Sequence, residues 1–147
     1  MCLQSGSVDS ELDCAFCGIA AGTVPSTIIA GSTRALAFMD INPVTHGHAL
    51  VIPRTHTTDL LDVGVDDLAA CVDLAQEIAR RARDRLGADG VNLLNCSGAA
   101  AWQTVFHFHV HVIPRYANER AKDAIGLPWS AVPGDRAEID RIGAILA

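Results

Sequence analysis

The sequence has no apolar run that approaches the roughly 18 residues needed to cross a membrane as a helix. Its first twelve residues also lack the basic start and apolar stretch of a secretory signal. These absences predict a cytoplasmic protein that does not interact with the membrane.

Basic residues are scarce relative to acidic ones. There are 11 Lys and Arg against 17 Asp and Glu, so the formal net charge is −6 and the pI is near 5.3. Proteins that bind nucleic acid broadly do so through clustered Lys and Arg. The composition therefore argues against a nucleic-acid partner, although a small phosphorylated substrate needs only a few local donors.

A disulfide framework is not expected either. Five cysteines is an odd number, and a 147-residue chain suits one domain whose core needs no disulfides. Cys2, Cys71 and Cys96 are isolated in the sequence. Cys14 and Cys17 form a Cys-x-x-Cys pair, which is either half of a tetrahedral zinc site or a redox pair.

The most distinctive feature is residues 106–114, where apolar and polar side chains alternate from Phe106 to Val112. On a strand this period of two places His107, His109 and His111 on one face. The opposite face carries the apolar side chains Phe106, Phe108, Val110 and Val112. Half of the six histidines in the chain therefore share one surface within five residues.

Two explanations for this face follow from the residues alone. A surface in contact with solvent is one, but Thr, Lys or Ser would serve there equally well. A metal site is the other, because neutral imidazoles at alternate strand positions suit zinc. The segment by itself leaves both open.

The rest of the chain predicts a flexible N-terminal tail, residues 1–12, and a single domain, residues 13–147, with a C-terminal extension from about residue 117. Apolar periodicity and turn residues predict a short helix after Asp13 that ends at Gly22, strands at 27–30, 35–39, 48–52 and 91–95, a long helix over 65–86 and a last helix over 136–146. Hairpin-like pairings around one long helix indicate an α+β domain with an antiparallel sheet.

Residues 107–113 read His-Phe-His-Val-His-Val-Ile, which matches the signature His-Φ-His-Φ-His-Φ-Φ of the histidine triad (HIT) family, where Φ is apolar. Further stretches follow in the order of that family: 14–17, 37–43, 47–53 with His56, and Asn95 ahead of 103–105. The resemblance covers about residues 13–116 and is strongest to the bacterial Hint branch. It implies a HIT-like fold with a five-stranded antiparallel sheet, one long and one short helix, and a homodimer that joins two sheets into one of ten strands.

The resemblance also implies a reaction. The middle histidine of the family signature is the nucleophile, so His109 would attack the α-phosphorus of a nucleoside monophosphate derivative and form a nucleotidyl-histidine. His111 would contact the phosphate oxygens and the leaving group, and His48 would face it from the neighbouring strand. Water would then release AMP or GMP, which makes the protein a nucleotide phosphoramidase or nucleotidyl hydrolase.

Substrate residues follow from the same resemblance. Asp40 matches the residue that accepts hydrogen bonds from the ribose hydroxyls, and Asn95, Gln103 and Thr104 match the phosphate donors. The side chains that would enclose a purine base are Phe16, Ile19, Phe38 and Ile41. Without the resemblance, these four apolar residues would be assigned to the core.

For the cysteine pair, the resemblance implies two further ligands, His56 and His107. Together with Cys14 and Cys17 they would form a closed site for a structural zinc ion, and no catalytic metal is expected. A redox role for the pair is the alternative, but no thioredoxin-like pattern of strand and helix surrounds it.

One position departs from the family pattern. Trp102 stands where the family has a glycine directly before Gln103, and glycine there permits a positive φ or a close approach to the phosphate. A large side chain predicts a narrower pocket or a changed substrate range unless it points away. Trp129 resembles a C-terminal tryptophan that family members place near the site of the partner.

Three other functions remain as alternatives. One is hydrolysis or transfer with a dinucleoside polyphosphate on the same scaffold. Another is metal-dependent hydrolysis with the three histidines around one zinc ion. The last is nucleotide binding or protein interaction without catalysis, for which Trp102 is the best argument.

Overall fold

The computed structural model describes residues 13–126 and 132–147; the expected N-terminal tail and Trp129 lie outside them. The elements in chain order are α1 (Ala15–Ala21), β1 (Ile28–Gly31), β2 (Ala35–Met39), β3 (Ala49–Pro53), α2 (Val65–Leu86), β4 (Gly90–Leu94), a 3₁₀ turn (Ala99–Ala101), β5 (Val110–Arg115) and α3 (Arg136–Leu146). The five strands form one antiparallel sheet in the order β1-β2-β3-β5-β4. The expected α+β fold with a five-stranded antiparallel sheet is confirmed.

Helix α2 covers one face of the sheet. The strand residues beneath it are small or β-branched: Ala35, Ala37, Ala49, Val51, Val110 and Val112. The helix contributes Cys71, Leu74, Ala75 and Ile78 to the same buried cluster. Alanines at three of the strand positions let the helix approach closely, and each buried branched side chain contributes roughly 1.5–3 kcal/mol.

Helix α1 covers part of the opposite face. The alternate strand residues Leu36, Phe38, Leu50 and Ile52 pack there against Cys14 and Phe16. With only seven residues, α1 is too short to be stable by itself, so its packing and its Cys14 N-cap hold it in place. The central strands are therefore buried on both faces, which explains their nearly continuous apolar sequences.

The strand predicted from residue 106 begins later than expected, at Val110. Pairing between β3 and β5 ends at Val51 and Val110, because Pro53 has no N–H for the ladder. The N–H of Phe108 donates instead to the carbonyl of Thr57 at 2.7 Å. The alternation of faces nevertheless persists through this segment.

The chain after β5 folds back onto the domain. Arg115 forms an ion pair with Asp123, whose carboxylate also accepts the backbone N–H of Tyr116. The hydroxyl of Tyr116 donates to the carbonyl of His46 at 2.9 Å. Helix α3 has the predicted bounds, and its residues are exposed. Among the described residues, no helix combines the length and the apolar character that a membrane span requires.

Candidate functional site

A cleft of about 420 Å³ opens on the face of the sheet that α1 covers. It brings together eight of the residues singled out from the sequence: Phe16, Ile19, Phe38, Asp40, Ile41, Thr104, His109 and His111. One end carries the two histidines, while aromatic and aliphatic side chains form the remaining walls. Such a cleft suits a ligand with a flat apolar part and a charged part.

His109 is held so that one ring nitrogen is free. Its Nδ1–H donates to the backbone carbonyl of His107 at 2.7 Å, and the residue is only 4% exposed. A neutral imidazole with a proton on Nδ1 has its lone pair on Nε2. The cleft therefore contains an imidazole with a fixed orientation and an unshared electron pair.

His48 and His111 form a second fixed pair. The backbone N–H of Val44 donates to Nδ1 of His48, so the proton of a neutral His48 is on Nε2. This Nε2–H donates to Nδ1 of His111 at 2.9 Å. His111 is left with a donor, its Nε2–H, on the ring that lines the cleft. An oxygen of Asp40 lies 3.6 Å from Nδ1 of His48, beyond hydrogen-bonding distance.

Burial keeps these imidazoles neutral. It lowers the pKa of His111 to about 4, with smaller contributions from the neighbouring His109 and His48. Burial also lowers the pKa of His109 and that of His48, although hydrogen bonding to the His107 carbonyl and the charge of Asp40 oppose the shift at His109. At neutral pH His109 is thus unprotonated at Nε2 and competent as a nucleophile.

Two of the expected phosphate donors are engaged elsewhere. The amide of Asn95 donates to the backbone carbonyl of His109 at 2.9 Å and accepts from Ser97. The buried amide of Gln103 donates to the carbonyls of Thr58 and Val105 and accepts the N–H of Gly98. Both side chains stabilise the backbone around the cleft, whereas Thr104 lines it.

The four predicted metal ligands are brought together beside the cleft. The donor atoms of Cys14, Cys17, His56 and His107 all lie within 4.8 Å of one another. Sγ of Cys14 is 3.4 Å from Nδ1 of His107, and Sγ of Cys17 is 3.2 Å from Nδ1 of His56. Zinc bonds to sulfur and nitrogen at the tetrahedral angle place those atoms about 3.6 Å apart. The arrangement fits a Cys₂His₂ ion site.

His107 also has the tautomer that a metal ligand needs. Its Nε2–H donates to the backbone carbonyl of Pro53 at 2.9 Å, which leaves the Nδ1 lone pair directed at the cysteine sulfurs. Burial lowers the pKa of His107 to about 4, so the ring is neutral. A hydrogen bond of this kind orients the ligand histidine in metal sites generally. His107 and His111 therefore belong to different clusters, which argues against one metal held by all three histidines.

Trp102 has the left-handed backbone conformation that favours glycine. Its φ is 70°, and it is the one non-glycine residue with positive φ in the described part of the chain. The side chain is 74% exposed, and it does not line the cleft. Of the two cases that the sequence left open, the structure therefore shows the side chain that points away from the pocket, and the left-handed backbone costs about 1–2 kcal/mol.

Ser26 was not identified from the sequence but lines the same cleft. Its Oγ is buried and has no hydrogen-bond partner among the residues that the structure describes. The sequence carried no motif around this serine, because the residue precedes a short edge strand in a stretch of turn-forming residues. The register of β1 against β2, which the sequence does not give, would have been needed to place it.

Three kinds of comparison with known proteins point to one family. Residues 21–118 match the sequence model of a family described as "HIT domain". Adenosine 5′-monophosphoramidase hnt1 of Schizosaccharomyces pombe is 32% identical over 132 residues, which cover 90% of this chain and 94% of that protein. A zinc-bound histidine triad family protein from Mycobacterium smegmatis is 41% identical, with a TM-score of 0.73 over 90% of this chain and 91% of that one. A histidine triad nucleotide-binding protein from Candida albicans is 27% identical, with a TM-score of 0.78 over 90% of this chain and 94% of that one.

Replacing Trp102 by glycine should stabilise the protein. The change relieves the left-handed strain, and the greater freedom of glycine in the unfolded chain offsets part of the gain, so the free energy of unfolding should rise by about 0.5–1 kcal/mol. Urea unfolding of W102G against the wild type measures this. W102A is the matched control, since it removes the indole but keeps Cβ and the strain. Equal stabilisation in both variants would assign the effect to the exposed side chain instead.

Proposed function

Since the chain belongs to the HIT family and holds an oriented, neutral His109 in an apolar cleft, we propose that it is a nucleotide phosphoramidase or nucleotidyl hydrolase. The substrate is a purine nucleoside monophosphate that carries an amine or another leaving group on its α-phosphorus. The observation that carries this proposal is the hydrogen bond from His109 Nδ1–H to the carbonyl of His107, which leaves Nε2 free in the cleft.

In the first step, the Nε2 lone pair of His109 forms a bond to the α-phosphorus, and the bond from phosphorus to the leaving group breaks. The leaving group takes up a proton from solvent. His109 becomes a nucleotidyl-imidazolium whose positive charge is stabilised by the hydrogen bond from its Nδ1–H to the His107 carbonyl. One difficult displacement is thereby divided into two easier ones.

In the second step, water attacks phosphorus and the bond between phosphorus and Nε2 breaks. AMP or GMP is released, a proton returns to solvent, and His109 is again neutral. The Nε2–H of His111 lines the cleft beside His109, with the two ring centroids 5.0 Å apart. We assign it to stabilising the charge on the phosphate oxygens and the leaving group in both steps.

The positioning of His111 depends on His48, which we assign as a positioning residue. Because the N–H of Val44 fixes the tautomer of His48, the Nδ1 of His111 is always an acceptor. His111 therefore always presents a donor to the substrate. We assign Asn95 as a second positioning residue, since its amide donates a hydrogen bond to the backbone carbonyl of His109.

The remaining cleft residues are assigned to the nucleoside. Asp40 accepts hydrogen bonds from the ribose hydroxyls, and Thr104 donates to the phosphate. Phe16, Ile19, Phe38 and Ile41 form the walls for the purine. We assign Gln103 to the loop before Thr104 and not to substrate contact, because its amide makes three hydrogen bonds to backbone groups that fix the conformation of this loop.

The test is a comparison of His109→Asn with the wild type on adenosine phosphoramidate. We expect turnover to fall at least about 10³-fold, because the nucleophile is lost while the cleft remains. Rapid acid quench and mass spectrometry should detect a wild-type adduct of one adenylyl group on His109. H46N is the matched control, because His46 is exposed and lies outside the cleft.

Three results would contradict the proposal in different ways. Unchanged turnover in H109N removes the covalent mechanism. A clear preference for diadenosine polyphosphates over adenosine phosphoramidate favours the dinucleoside polyphosphate hydrolase. Nucleotide binding without any turnover favours a non-catalytic binding protein.

We also propose that Cys14, Cys17, His56 and His107 bind one structural zinc ion. The ion would crosslink α1 to the start of the histidine segment, with four protein ligands and no open coordination position. The support is the donor set, the distances and the tautomer of His107 described above. Cysteines that must remain reduced for this purpose suit a cytoplasmic protein.

Replacing both cysteines, in C14S/C17S, should abolish the bound zinc and lower Tm by about 5–10 °C, because the metal binds only the folded state. Metal analysis of the purified protein and thermal unfolding measure the two effects. The control is C96S, whose cysteine lies outside the cluster. A wild-type protein that contains no zinc after purification in its presence would show the proposal to be wrong.

The exposed edge of β4 supports the expected homodimer. This strand is at one end of the sheet, and Leu93 on it is 48% exposed. An apolar edge strand favours pairing with a second copy, and we propose that the two β4 strands meet to form a ten-stranded sheet.

Leu93→Asp should convert the dimer to a monomer, because symmetric pairing would place two like charges near each other. Sedimentation equilibrium measures the change. L61D is the control, since Leu61 is exposed and lies on a loop rather than on β4. A wild-type protein that sediments as a monomer would exclude the assembly.

A further inference from the structure

One polar group in the cleft is left without a hydrogen bond. Ser26 lines the cleft together with Pro25 and Ile41. Its Oγ has almost no accessible surface and no hydrogen-bond partner among the described residues, so a rotation about χ1 is needed before a ligand can bond to it. A buried hydroxyl without a partner is destabilising, so its presence in a ligand cleft suggests that the ligand supplies the partner.

The register of the sheet explains why Ser26 faces the cleft. The N–H of Met39 donates to the carbonyl of Thr27 at 2.9 Å, which continues the antiparallel pairing of β1 with β2. Continued by one residue beyond this hydrogen bond, the same register would set Ser26 opposite Asp40. Directly opposed residues of an antiparallel pair point to the same face, and Asp40 lines the cleft.

The order of strands places Ser26 at the end of the cleft opposite the histidines. A row of paired residues crosses the sheet: His111 on β5, Leu50 on β3, Phe38 on β2 and Ile28 on β1. Three spacings between strands amount to about 14 Å. A nucleotide with its phosphate at the histidines and its ribose at Asp40 therefore extends its base toward the β1 side.

We propose that Ser26 recognises the purine base, with its hydroxyl hydrogen-bonded to the edge of the ring. This assignment rests on the nucleotide site proposed above. The apolar walls contact the flat faces of any base, whereas a hydroxyl reads a nitrogen or an amine on the edge. A pyrimidine is one ring shorter and leaves the hydroxyl unpaired, so Ser26 favours purines.

The proposal predicts that replacing Ser26 by alanine weakens ligand binding but stabilises the free protein. Removal of the hydroxyl in S26A should weaken AMP binding about three- to tenfold, the effect of one neutral hydrogen bond. Without nucleotide, the same change should raise Tm by about 2–4 °C, because an unpaired buried hydroxyl is removed. A serine with a structural role would lower Tm on substitution.

The first experiment is calorimetric titration of wild type and S26A with AMP and with CMP. We expect S26A to bind AMP more weakly than wild type does, and to bind CMP with the same affinity as wild type. Thr45→Val is the matched control: its Oγ1 is also buried without a partner, but Thr45 does not line the cleft. T45V should bind AMP as the wild type does.

The second experiment identifies the partner atom with 1-deaza, 3-deaza and 7-deaza AMP and with the analogue that lacks the 6-amino group. One analogue should lack the base atom that bonds to the hydroxyl of Ser26. That analogue should bind wild type as weakly as AMP binds S26A, and its affinity for wild type and for S26A should be equal. Equal AMP affinity of wild type and S26A would overturn the role of Ser26. If 2′-deoxy-AMP, and none of the base analogues, binds wild type and S26A equally, the contact is on the ribose and base recognition is overturned. Failure of AMP to bind the wild type would overturn the nucleotide site itself.

Discussion

Each histidine of the alternating segment has one ring nitrogen engaged by a fixed neighbour, and the chemistry of the site depends on this constraint. His107 donates to the carbonyl of Pro53, His109 donates to the carbonyl of His107, and His111 accepts from His48. A neutral imidazole has one donor and one acceptor, so fixing one nitrogen determines the other. Three side chains that look equivalent in the sequence thereby differ in the ring nitrogen that stays available, which is why we propose them as a metal ligand, a nucleophile and a donor.

The fold supplies these neighbours where the regular pairing of strands stops. Pro53 cannot donate to the ladder, so β3 and β5 separate there and its carbonyl is available to the ring of His107. Ahead of β5, the amide of Asn95 holds the carbonyl of His109, and the N–H of Phe108 bonds to a loop carbonyl. The chemically important histidines thus lie on backbone held by specific hydrogen bonds.

The sequence predicted the sheet, the long helix and the two faces of the histidine segment, because a period of two or of 3.6 is visible in one dimension. It did not predict how polar side chains would be used. An amide at position 95 or 103 can bond a phosphate or the backbone, and only the packed structure shows that both bond the backbone. The left-handed φ of Trp102 could not be predicted from a tryptophan, since the rules for that conformation favour glycine, and only the family's glycine at this position pointed to it.

Helix α1 connects the proposed metal-ligand cluster to the end of the cleft that we assign to the base. The ring of Phe16 meets the rings of His107 and His109 edge-on, with centroids 5.9 and 5.3 Å away, and it also contacts Phe38. Phe16 lies between the two cysteines of the cluster in the sequence, on a helix too short to hold its own position. An ion bound to those cysteines would fix the helix, and through it the wall of the purine site. In the mechanism that we propose, the metal can thus influence substrate affinity, while the displacement at phosphorus is carried out by His109 with the help of the donor on His111.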